Sequence, residues 1–243
     1  MIDLERRVKN SMLYWFPRIE KLDIPKPRTI IVKVDPRAMF EWIAGKKPLP
    51  GEYIEKFYEA ADKVGYPLFV RSDHTSNKHD YENSCYVEKR EDLLPHISNI
   101  VEFTLMIDII GAPTNAIIFR EFLEIPHVFK AFRGLPIGRE FRFFSDGEKV
   151  LKHLFYWPDD AIERGWHKYP LPEDWRERLR KLRKLSNVEY RRLSSWAVMA
   201  AEACRDIWPR WSIDFAYTTR GWVLIDMAVA EDSWGWGDEI EEK

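Results

Sequence analysis

The most constraining feature of the sequence is its C-terminal segment WSIDFAYTTRGWVLIDMAVA, which predicts two strands joined by a turn. Asp214 lies in the first strand and Asp226 in the second, each between apolar residues. In a hairpin that turns at Gly221, residues whose numbers sum to about 440 face each other, so the two carboxylates become cross-strand neighbours. The chain must therefore fold around a pair of like charges on one face of a sheet.

Two neighbouring aspartates repel each other unless a cation lies between them. Oxygen ligands suit Mg²⁺, which commonly takes one or two carboxylates together with the phosphates of a substrate. The pattern therefore makes Asp214 and Asp226 candidate metal ligands. The alternative is that an arginine pairs with one of these aspartates for structural reasons.

The patterns in the first half of the chain are mixed helix and strand. IPKPRTIIVKV and YPLFVRSD are β-branched or apolar runs that predict strands, whereas EDLLPHISNIVEFTLMIDII predicts a long helix. Two further helices, each ending at a glycine, are predicted between the two strands. This part of the chain is therefore predicted to be α+β.

The pattern changes at Asn115, after which strand follows strand, as is typical of an antiparallel sheet. A helical region is predicted over 172–205, before the final hairpin. We therefore predict two α+β lobes, residues 1–112 and residues 113–243, with no flexible connector between them.

Composition excludes several classes of protein. Hydrophobic residues make up 45% and charged residues 32% of the 243 residues, and no apolar stretch approaches the length of a membrane helix. The N-terminal segment lacks the pattern of a secretory signal, so we expect a cytoplasmic location and no membrane association. A net charge of −2 argues against coating of nucleic acid through bulk charge, but it allows a local basic groove.

Four charged residues are placed to hold a phosphate-bearing ligand. Arg71 lies just before the polar loop HTSNKHDYENS and Lys78 lies within it, and fixed positive charges suit phosphates. Glu140 and Arg142 are two residues apart in a predicted strand and so face the same side of it. In a cleft, this carboxylate can bind ribose hydroxyls and this arginine can stabilise a transferring phosphoryl group. If that side faces solvent, they form an exposed ion pair.

The strand pattern FREFLEI ends directly before a proline, so the strand passes into a connecting segment with free backbone N–H and C=O groups. Such groups can bind the edge of an adenine ring. The sequence contains no serine nucleophile elbow, no Walker A loop and no Rossmann glycine fingerprint. The commonest other nucleotide-binding folds are therefore not predicted.

In this order the segments resemble the ATP-grasp superfamily, and they are most similar to a compact subgroup known from phages and microbial genomes. The segments that carry the resemblance are YPLFVRSDHTSNKHDYENSC, FREFLEI with AFRGLPIGREFRFF, the following YWP, and WSIDFAYTTRGWVLIDMA. The resemblance implies a two-lobed α+β fold with antiparallel sheets and a nucleotide between the lobes.

The resemblance also implies which residues bind the nucleotide. Arg71 lies where most members of the superfamily have a phosphate-binding lysine, and Lys78 lies in the loop that covers the phosphates. Arg120, Glu121 and Leu123 correspond to the hinge that recognises adenine, largely through backbone atoms.

The remaining assignments concern the ribose, the metal and the reacting phosphate. Glu140 takes the ribose position, and Arg142 is similar to the arginine that faces the phosphates and the reaction intermediate. Asp214 and Asp226 match the two metal-binding acids.

One departure from the superfamily pattern affects the metal site. Many members have asparagine two residues after the second acid, where this chain has Ala228. A third metal ligand would then come from Glu231, from Asp232 or from water.

These assignments predict an ATP- and Mg²⁺-dependent ligase in which Arg142 and Lys78 are catalytic. The acceptor, a small molecule or a peptide, would be activated at a carboxylate as an acyl phosphate and then attacked by an amine. One alternative is an enzyme that joins or repairs nucleic-acid ends, with the basic helix Arg176–Arg183 binding a single strand. Another is a nucleotide-binding assembly factor for a protein partner.

Overall fold

The computed structural model describes residues 4–106 and 113–237. Its α-helices are α1 Leu4–Val8, α2 Met12–Ile19, α3 Pro36–Ile43, α4 Gly51–Val64, α5 Leu93–Met106, α6 Asp159–Arg164, α7 Trp175–Leu182 and α8 Asn187–Ala203. Its strands are β1 Thr29–Lys33, β2 Leu68–Ser72, β3 Tyr86–Val87, β4 Ala116–Glu121, β5 His127–Ala131, β6 Leu135–Gly138, β7 Glu140–Ser145, β8 Val150–Phe155, β9 Trp211–Thr218 and β10 Gly221–Val229.

The strands form two four-stranded sheets and one separate hairpin. The first sheet has the order β1-β4-β2-β3, the second has the order β10-β9-β7-β8, and β5 pairs with β6. All neighbouring strands are antiparallel. The α+β class with antiparallel sheets, as predicted, is therefore confirmed. None of the helices described here is long and apolar enough to cross a membrane.

Each sheet packs against helices on one face. Helices α3, α4 and α5 cover the first sheet, where Phe57, Leu68 and Phe119 are fully buried. Helices α2 and α8 cover the second sheet, where Trp15 and Trp211 are fully buried. Burial of such side chains stabilises the fold by about 1.5–3 kcal/mol each. On the opposite face of the first sheet, Ala116 and Ile118 pack into the core of the second sheet, and the remainder of that face is left to form a site.

A third apolar cluster joins the β5–β6 hairpin to α6 and α7. It includes Tyr81, Phe129, Trp157 and Trp175, all buried. Tyr81 belongs to a short 3₁₀ helix, Lys78–Asn83, in the predicted phosphate loop. The hairpin therefore fixes the position of that loop.

The predicted division into residues 1–112 and 113–243 remains a prediction, because residues 107–112 lie outside the described residues. The apolar core of each sheet contains residues from both sides of this division. Strand β4 completes the first sheet, and α2 packs into the core of the second.

Most predicted elements are confirmed, including the two glycine-terminated helices and the final hairpin. The helical region 172–205 consists of two helices, because a capping box at Ser186 and Glu189 starts α8 anew. The β5–β6 hairpin and α6 were not predicted. The end of the predicted long helix, residues 107–110, and the acidic tail from residue 238 lie outside the described residues.

Asp73, directly after β2, ties the two halves of the fold together. Its carboxylate is fully buried and accepts hydrogen bonds from Ser11 Oγ at 2.7 Å and from the backbone N–H of Asn115 at 3.0 Å. Ser11 caps the N-terminus of α2, and Asn115 immediately precedes β4. The Asp73 carbonyl also accepts from Met12 N–H at 2.9 Å. One residue thereby holds α2 against the start of β4.

We predict that Asp73→Ala lowers the free energy of unfolding by about 2–4 kcal/mol, because it leaves several buried donors without an acceptor. Urea unfolding measures this change. Glu52→Ala is the control, since Glu52 forms an exposed pair with Lys56 on α4 and its loss should cost under about 1 kcal/mol. Equal losses in the two variants would contradict the structural role of Asp73.

Candidate functional site

A cavity of about 340 Å³ lies between the two sheets. Its walls come from β2 and β4 of the first sheet, from β7, β9 and β10 of the second, and from the loop 74–79. The predicted site residues that line it are Arg71, Lys78, Arg120, Glu121, Leu123, Glu140, Asp214 and Asp226. Arg142 lies directly behind Asp214 and contacts it. The fold therefore brings all the predicted site residues together.

The final hairpin places the two aspartates opposite each other, as predicted from their numbers. Near the turn, Gly221 pairs with Thr218, a register that would have placed Asp214 opposite Ile225. A bulge between Leu224 and Asp226 shifts the register by one residue, so that Asp226 pairs with Asp214. The neighbouring carboxylates thus depend on this irregularity.

An arginine pairs with each aspartate. Arg142 Nε and Nη2 donate to the two oxygens of Asp214 at 2.7 and 2.8 Å. Arg71 Nη1 lies 2.8 Å from Oδ1 of Asp226. Burial lowers the pKa of Arg142, but the Asp214 carboxylate outweighs burial and holds that pKa above its ordinary value. Each of the two aspartates therefore pairs with an arginine, which the sequence had suggested for one of them as the alternative to metal binding.

Asp226 keeps coordinating capacity despite its arginine. Its side chain is 36% exposed. Oδ1 also accepts from the Met227 N–H at 3.0 Å, and no hydrogen bond from the described residues reaches Oδ2. Glu231 and Asp232 do not provide the third ligand considered above. Glu231 binds Trp208 and Arg210, whereas Asp232 binds Arg6 and Asn10, and neither acid lines the cavity.

Lys78 and Glu140 form the third ion pair of the cavity, with Nζ 3.3 Å from Oε1. Lys78 Nζ also lies 3.8 Å from the ring centre of Tyr156 and 4.7 Å from that of Trp157. Burial lowers the pKa of Lys78, but Glu140 and Tyr156 outweigh burial and raise it above its ordinary value. Burial raises the pKa of Glu140 to about 7, against the opposing effect of Lys78.

Arg120 is the unusual charge of the cavity. It is buried, and its Nη1 donates to the carbonyl of Ile225, the residue at the bulge. Its Nε and Nη2 have no hydrogen-bond partner in the described residues. Burial, together with the nearby Arg71, lowers the pKa of Arg120 to about 9. The predicted role of Arg120 in the adenine hinge concerns its backbone, and its side chain offers two unused donors beside Arg71.

In the predicted hinge, the backbone N–H of Glu121 donates to the Arg28 carbonyl, and the residues after it leave backbone groups free within the described part of the chain. The Glu121 carboxylate accepts hydrogen bonds from the Arg28 N–H at 3.0 Å and from Arg220 Nη2 at 2.9 Å. Phe122 and Leu123, in the irregular segment after β4, make no backbone hydrogen bonds with other described residues. Their side chains line the cavity. Free backbone groups and apolar side chains therefore occur together there.

Sequence reasoning missed the aromatic wall formed by Tyr156 and Trp157. The YWP run after β8 was noted only as part of a resemblance. Tyr156 lies under both Lys78 and Arg142, whose guanidinium carbon is 4.8 Å from its ring centre. The adjacent aromatic residues at a strand end were the available signal, but their contact with a loop 78 positions earlier depends on the fold.

The described residues contain no group of three or more His, Cys, Asp or Glu side chains able to hold a metal ion alone. A metal here would need oxygen atoms from a bound ligand. Mg²⁺ meets this condition, because it usually keeps waters and binds one or two carboxylates together with phosphates. Asp226, whose Oδ2 accepts no hydrogen bond from the described residues, therefore fits Mg²⁺ bound jointly with a phosphate ligand, whereas Asp214 would bind the metal with oxygens that already accept from Arg142.

No family model matches the sequence, and comparison with curated proteins finds no match. Solved structures do resemble the fold. Cdc123 from Schizosaccharomyces pombe is 13% identical with a TM-score of 0.62, and the match covers 98% of this chain and 90% of that one. A RimK domain ATP-grasp protein from Sphaerobacter thermophilus is 13% identical with a TM-score of 0.46, covering 95% of this chain and 62% of that one.

A third similar structure is N5-carboxyaminoimidazole synthase from Aspergillus clavatus, in complex with ADP and an aminoimidazole ribonucleotide. It is 10% identical with a TM-score of 0.48, and the match covers 92% of this chain and 45% of that one. At these identities the likeness concerns the fold alone. The predicted α+β class with antiparallel sheets is confirmed by the strand pairing of the chain itself, and a protein described as ATP-grasp is among the similar structures. The relation to a phage and microbial subgroup remains a prediction.

We predict that, because of Glu140, the free energy of unfolding falls as the pH rises from about 4 to about 7. The folded state keeps this proton up to about pH 7, whereas the unfolded chain loses it near its ordinary pKa. The folded state therefore binds more protons in this range, and stability falls as pH rises. Relative to Glu140→Gln, the wild type should lose up to about 3 kcal/mol across the range.

Chemical unfolding at several pH values measures this difference. Glu55→Gln, at an exposed position on α4, is the control and should follow the wild type throughout. If the free energies of unfolding of the wild type and of Glu140→Gln change in parallel with pH, Glu140 does not titrate abnormally.

Proposed function

We propose that this chain binds ATP and Mg²⁺ in the cavity between the sheets and transfers the γ-phosphoryl group of ATP to an acceptor. The observation that carries the proposal is the convergence of three cations, two facing aspartates and a segment of free backbone on one cavity, with a fourth cation, Arg142, bound to one of the aspartates. An anionic ligand with a flat, hydrogen-bonding end matches that combination. ATP is such a ligand.

The charges of the cavity favour a polyanion. Three cations, Arg71, Lys78 and Arg120, line the cavity together with four acids, Glu121, Glu140, Asp214 and Asp226, and Arg142 contacts Asp214. The four acids already bind cations of this chain, whereas Arg120 has two buried donors without a partner in the described residues. In a site of low dielectric these unused donors attract phosphates strongly.

The apolar part of the cavity lining suits an adenine ring. Phe69, Phe122, Leu123 and Ile125 line it with apolar surface. The free backbone groups of Phe122 and Leu123 can donate to and accept from the ring edge. Adenine would bind at the hinge while its phosphates extend toward Arg71 and Lys78. This position matches the expectation drawn from the sequence.

The residues around the phosphates would carry the catalytic work. Arg142 and Lys78 would stabilise charge on the γ-phosphoryl group as it moves, because both are held rigidly by buried partners. Arg71 and Arg120 would hold the other phosphates. Bound Mg²⁺ at Asp214 and Asp226 would neutralise phosphate oxygens. Positioning and charge stabilisation are the main contributions a protein makes to this reaction.

The proposed reaction has two steps. A carboxylate oxygen of the acceptor attacks the γ-phosphorus, the bond to the β-phosphate bridging oxygen breaks, and ADP leaves. An amine then attacks the acyl carbon, the bond to the phosphate oxygen breaks, and the amine loses its excess protons as phosphate departs. The chain would therefore be an ATP-dependent ligase that forms an amide.

The nucleic-acid alternative gains little from helix α7. Four basic residues of the segment Arg176–Arg183 already pair with acids of this chain, in the pairs Arg176–Glu163, Arg178–Asp174, Lys181–Glu177 and Arg183–Asp159. A phosphate backbone would have to compete with these pairs. We therefore do not propose a single nucleic-acid strand as the acceptor. A role as an assembly factor for a protein partner remains an alternative.

We predict opposite effects of Asp226→Asn on nucleotide binding with and without Mg²⁺. Without Mg²⁺, ATP should bind at least as tightly as to the wild type, because a carboxylate beside Arg71 has been removed. With Mg²⁺, the additional affinity should fall about ten- to a hundredfold, because a metal ligand has been lost. Melting temperatures with ATP, in EDTA or in Mg²⁺, report both effects.

Asp62→Asn is the matched control, because Asp62 forms a surface pair with Arg90 far from the cavity lining. It should leave both responses unchanged. A full Mg²⁺ response in Asp226→Asn would overturn the metal assignment, and the absence of any ATP response in the wild type would overturn the proposed function.

A further inference from the structure

A second cavity, of about 880 Å³, lies beside the proposed nucleotide cavity. Asn77, His79 and Phe103 line both cavities. The second cavity is otherwise bounded by α5, by the turn of the β5–β6 hairpin and by the residues around Trp166. A molecule held there would therefore lie next to a nucleotide in the first cavity.

The charged side chains of the second cavity are paired, with one exception. Asp80 pairs with Arg133 at 3.1 Å, and Arg164 pairs with Asp160 at 3.5 Å. Glu102, exposed on α5, has no ion pair within the part of the chain that the structure describes. The cavity therefore offers an unpaired negative charge and no unpaired arginine among the described lining residues.

His79 stands between the two cavities with an unused imidazole. Its ring stacks on Phe132, with centres 4.1 Å apart, and no hydrogen bond from the described residues reaches its nitrogens. His79 is exposed, but desolvation of its ring, and then the nearby Lys78, lower its pKa. A neutral imidazole can accept a hydrogen bond, which a protonated one cannot.

Phe132, under the His79 ring, has a strained backbone. Its φ of 51° is in the left-handed region, which residues with large side chains rarely adopt. Its N–H donates to His167 Nδ1 at 2.7 Å, and its carbonyl accepts from the Lys168 N–H at 2.8 Å. Such strain persists where neighbouring contacts enforce it, often at functional sites. These contacts fix the ring on which His79 rests.

We propose that the second cavity binds the amine nucleophile of the reaction, as a primary ammonium carried on an apolar group. Glu102 would attract the positive charge, and His79 would accept a hydrogen bond from it at the boundary with the nucleotide. Phe103 and the exposed Trp166 would contact the apolar group. This inference rests on the proposed function and deepens it. A ligand that carries a carboxylate would instead be repelled by the unpaired Glu102.

The test uses three small molecules of similar shape: phenethylamine, 2-phenylethanol and 3-phenylpropanoate. Their binding is followed by ¹H–¹⁵N NMR on the Trp166 indole signal, which Trp166→Phe identifies, with and without a non-hydrolysable ATP analogue and Mg²⁺. Phenethylamine should bind about fivefold more tightly than the alcohol, because it adds one solvent-accessible charge pair. It should still bind when the nucleotide analogue saturates the first cavity.

Glu102→Gln should remove the preference for the amine over the alcohol, and His79→Phe, which keeps the ring stack, should weaken amine binding. Glu88→Gln, at another exposed acid outside the cavity, should change neither. Preferential binding of 3-phenylpropanoate, no binding of phenethylamine, competition between phenethylamine and the nucleotide analogue, or unchanged amine binding in both variants would each overturn this inference. Failure of the analogue to bind, with amine binding intact, would instead contradict the proposed function.

Discussion

Arg142 and Asp214 lie opposite each other on β7 and β9, almost inaccessible to solvent and joined by two short hydrogen bonds. Removing two ions from water costs several kcal/mol for each ion, so such a pair is a weak source of stability. Removing one partner costs more, because the other is left charged and buried. The pair therefore fixes where two charged side chains point, and the cavity is built around them.

The same constraint explains the rest of the cavity. Arg71 and Lys78, from the first sheet and its loop, each meet an acid from the second sheet. These ion pairs cross the cavity and hold its two walls together. A bound phosphate could pair with the cations in place of the acids, and a bound metal ion could bind the aspartates in place of the arginines. The pairs therefore keep the charges compensated in the protein alone, while leaving each member available to a ligand.

Arg120 departs from this scheme, and its environment has a physical consequence. Its pKa is lowered because it is buried beside Arg71 with no carboxylate of its own. Two of its donors have no partner in the described residues, which is costly in a protein interior. A phosphate oxygen that accepts from these two donors would remove that cost, and the gain would contribute to the free energy of ligand binding.

Much of the site followed from local sequence. Two acids in one hairpin, a charged pair two residues apart on a strand, and a strand ending before a proline predicted residues that the fold does bring to one cavity: Asp214, Asp226, Glu140, Arg142 and the segment after β4. Their roles toward a ligand remain predictions. The register of the acids was predicted correctly although the bulge that produces it was not, because a bulge has no clear signature in a single sequence. The partners of the acids were not identified, since they come from distant strands. The aromatic wall at Tyr156 and the second cavity depend equally on contacts between remote segments.

A crystal structure with a non-hydrolysable ATP analogue and Mn²⁺ in place of Mg²⁺ tests the central claim most directly. Anomalous scattering would locate the metal without ambiguity. The predicted result is adenine against the backbone of Phe122 and Leu123, phosphates on Arg71 and Lys78, and Mn²⁺ coordinated by Asp214, Asp226 and phosphate oxygens. A nucleotide bound elsewhere, or one bound in the cavity while both aspartates keep their arginines and no metal scatters beside them, would contradict it.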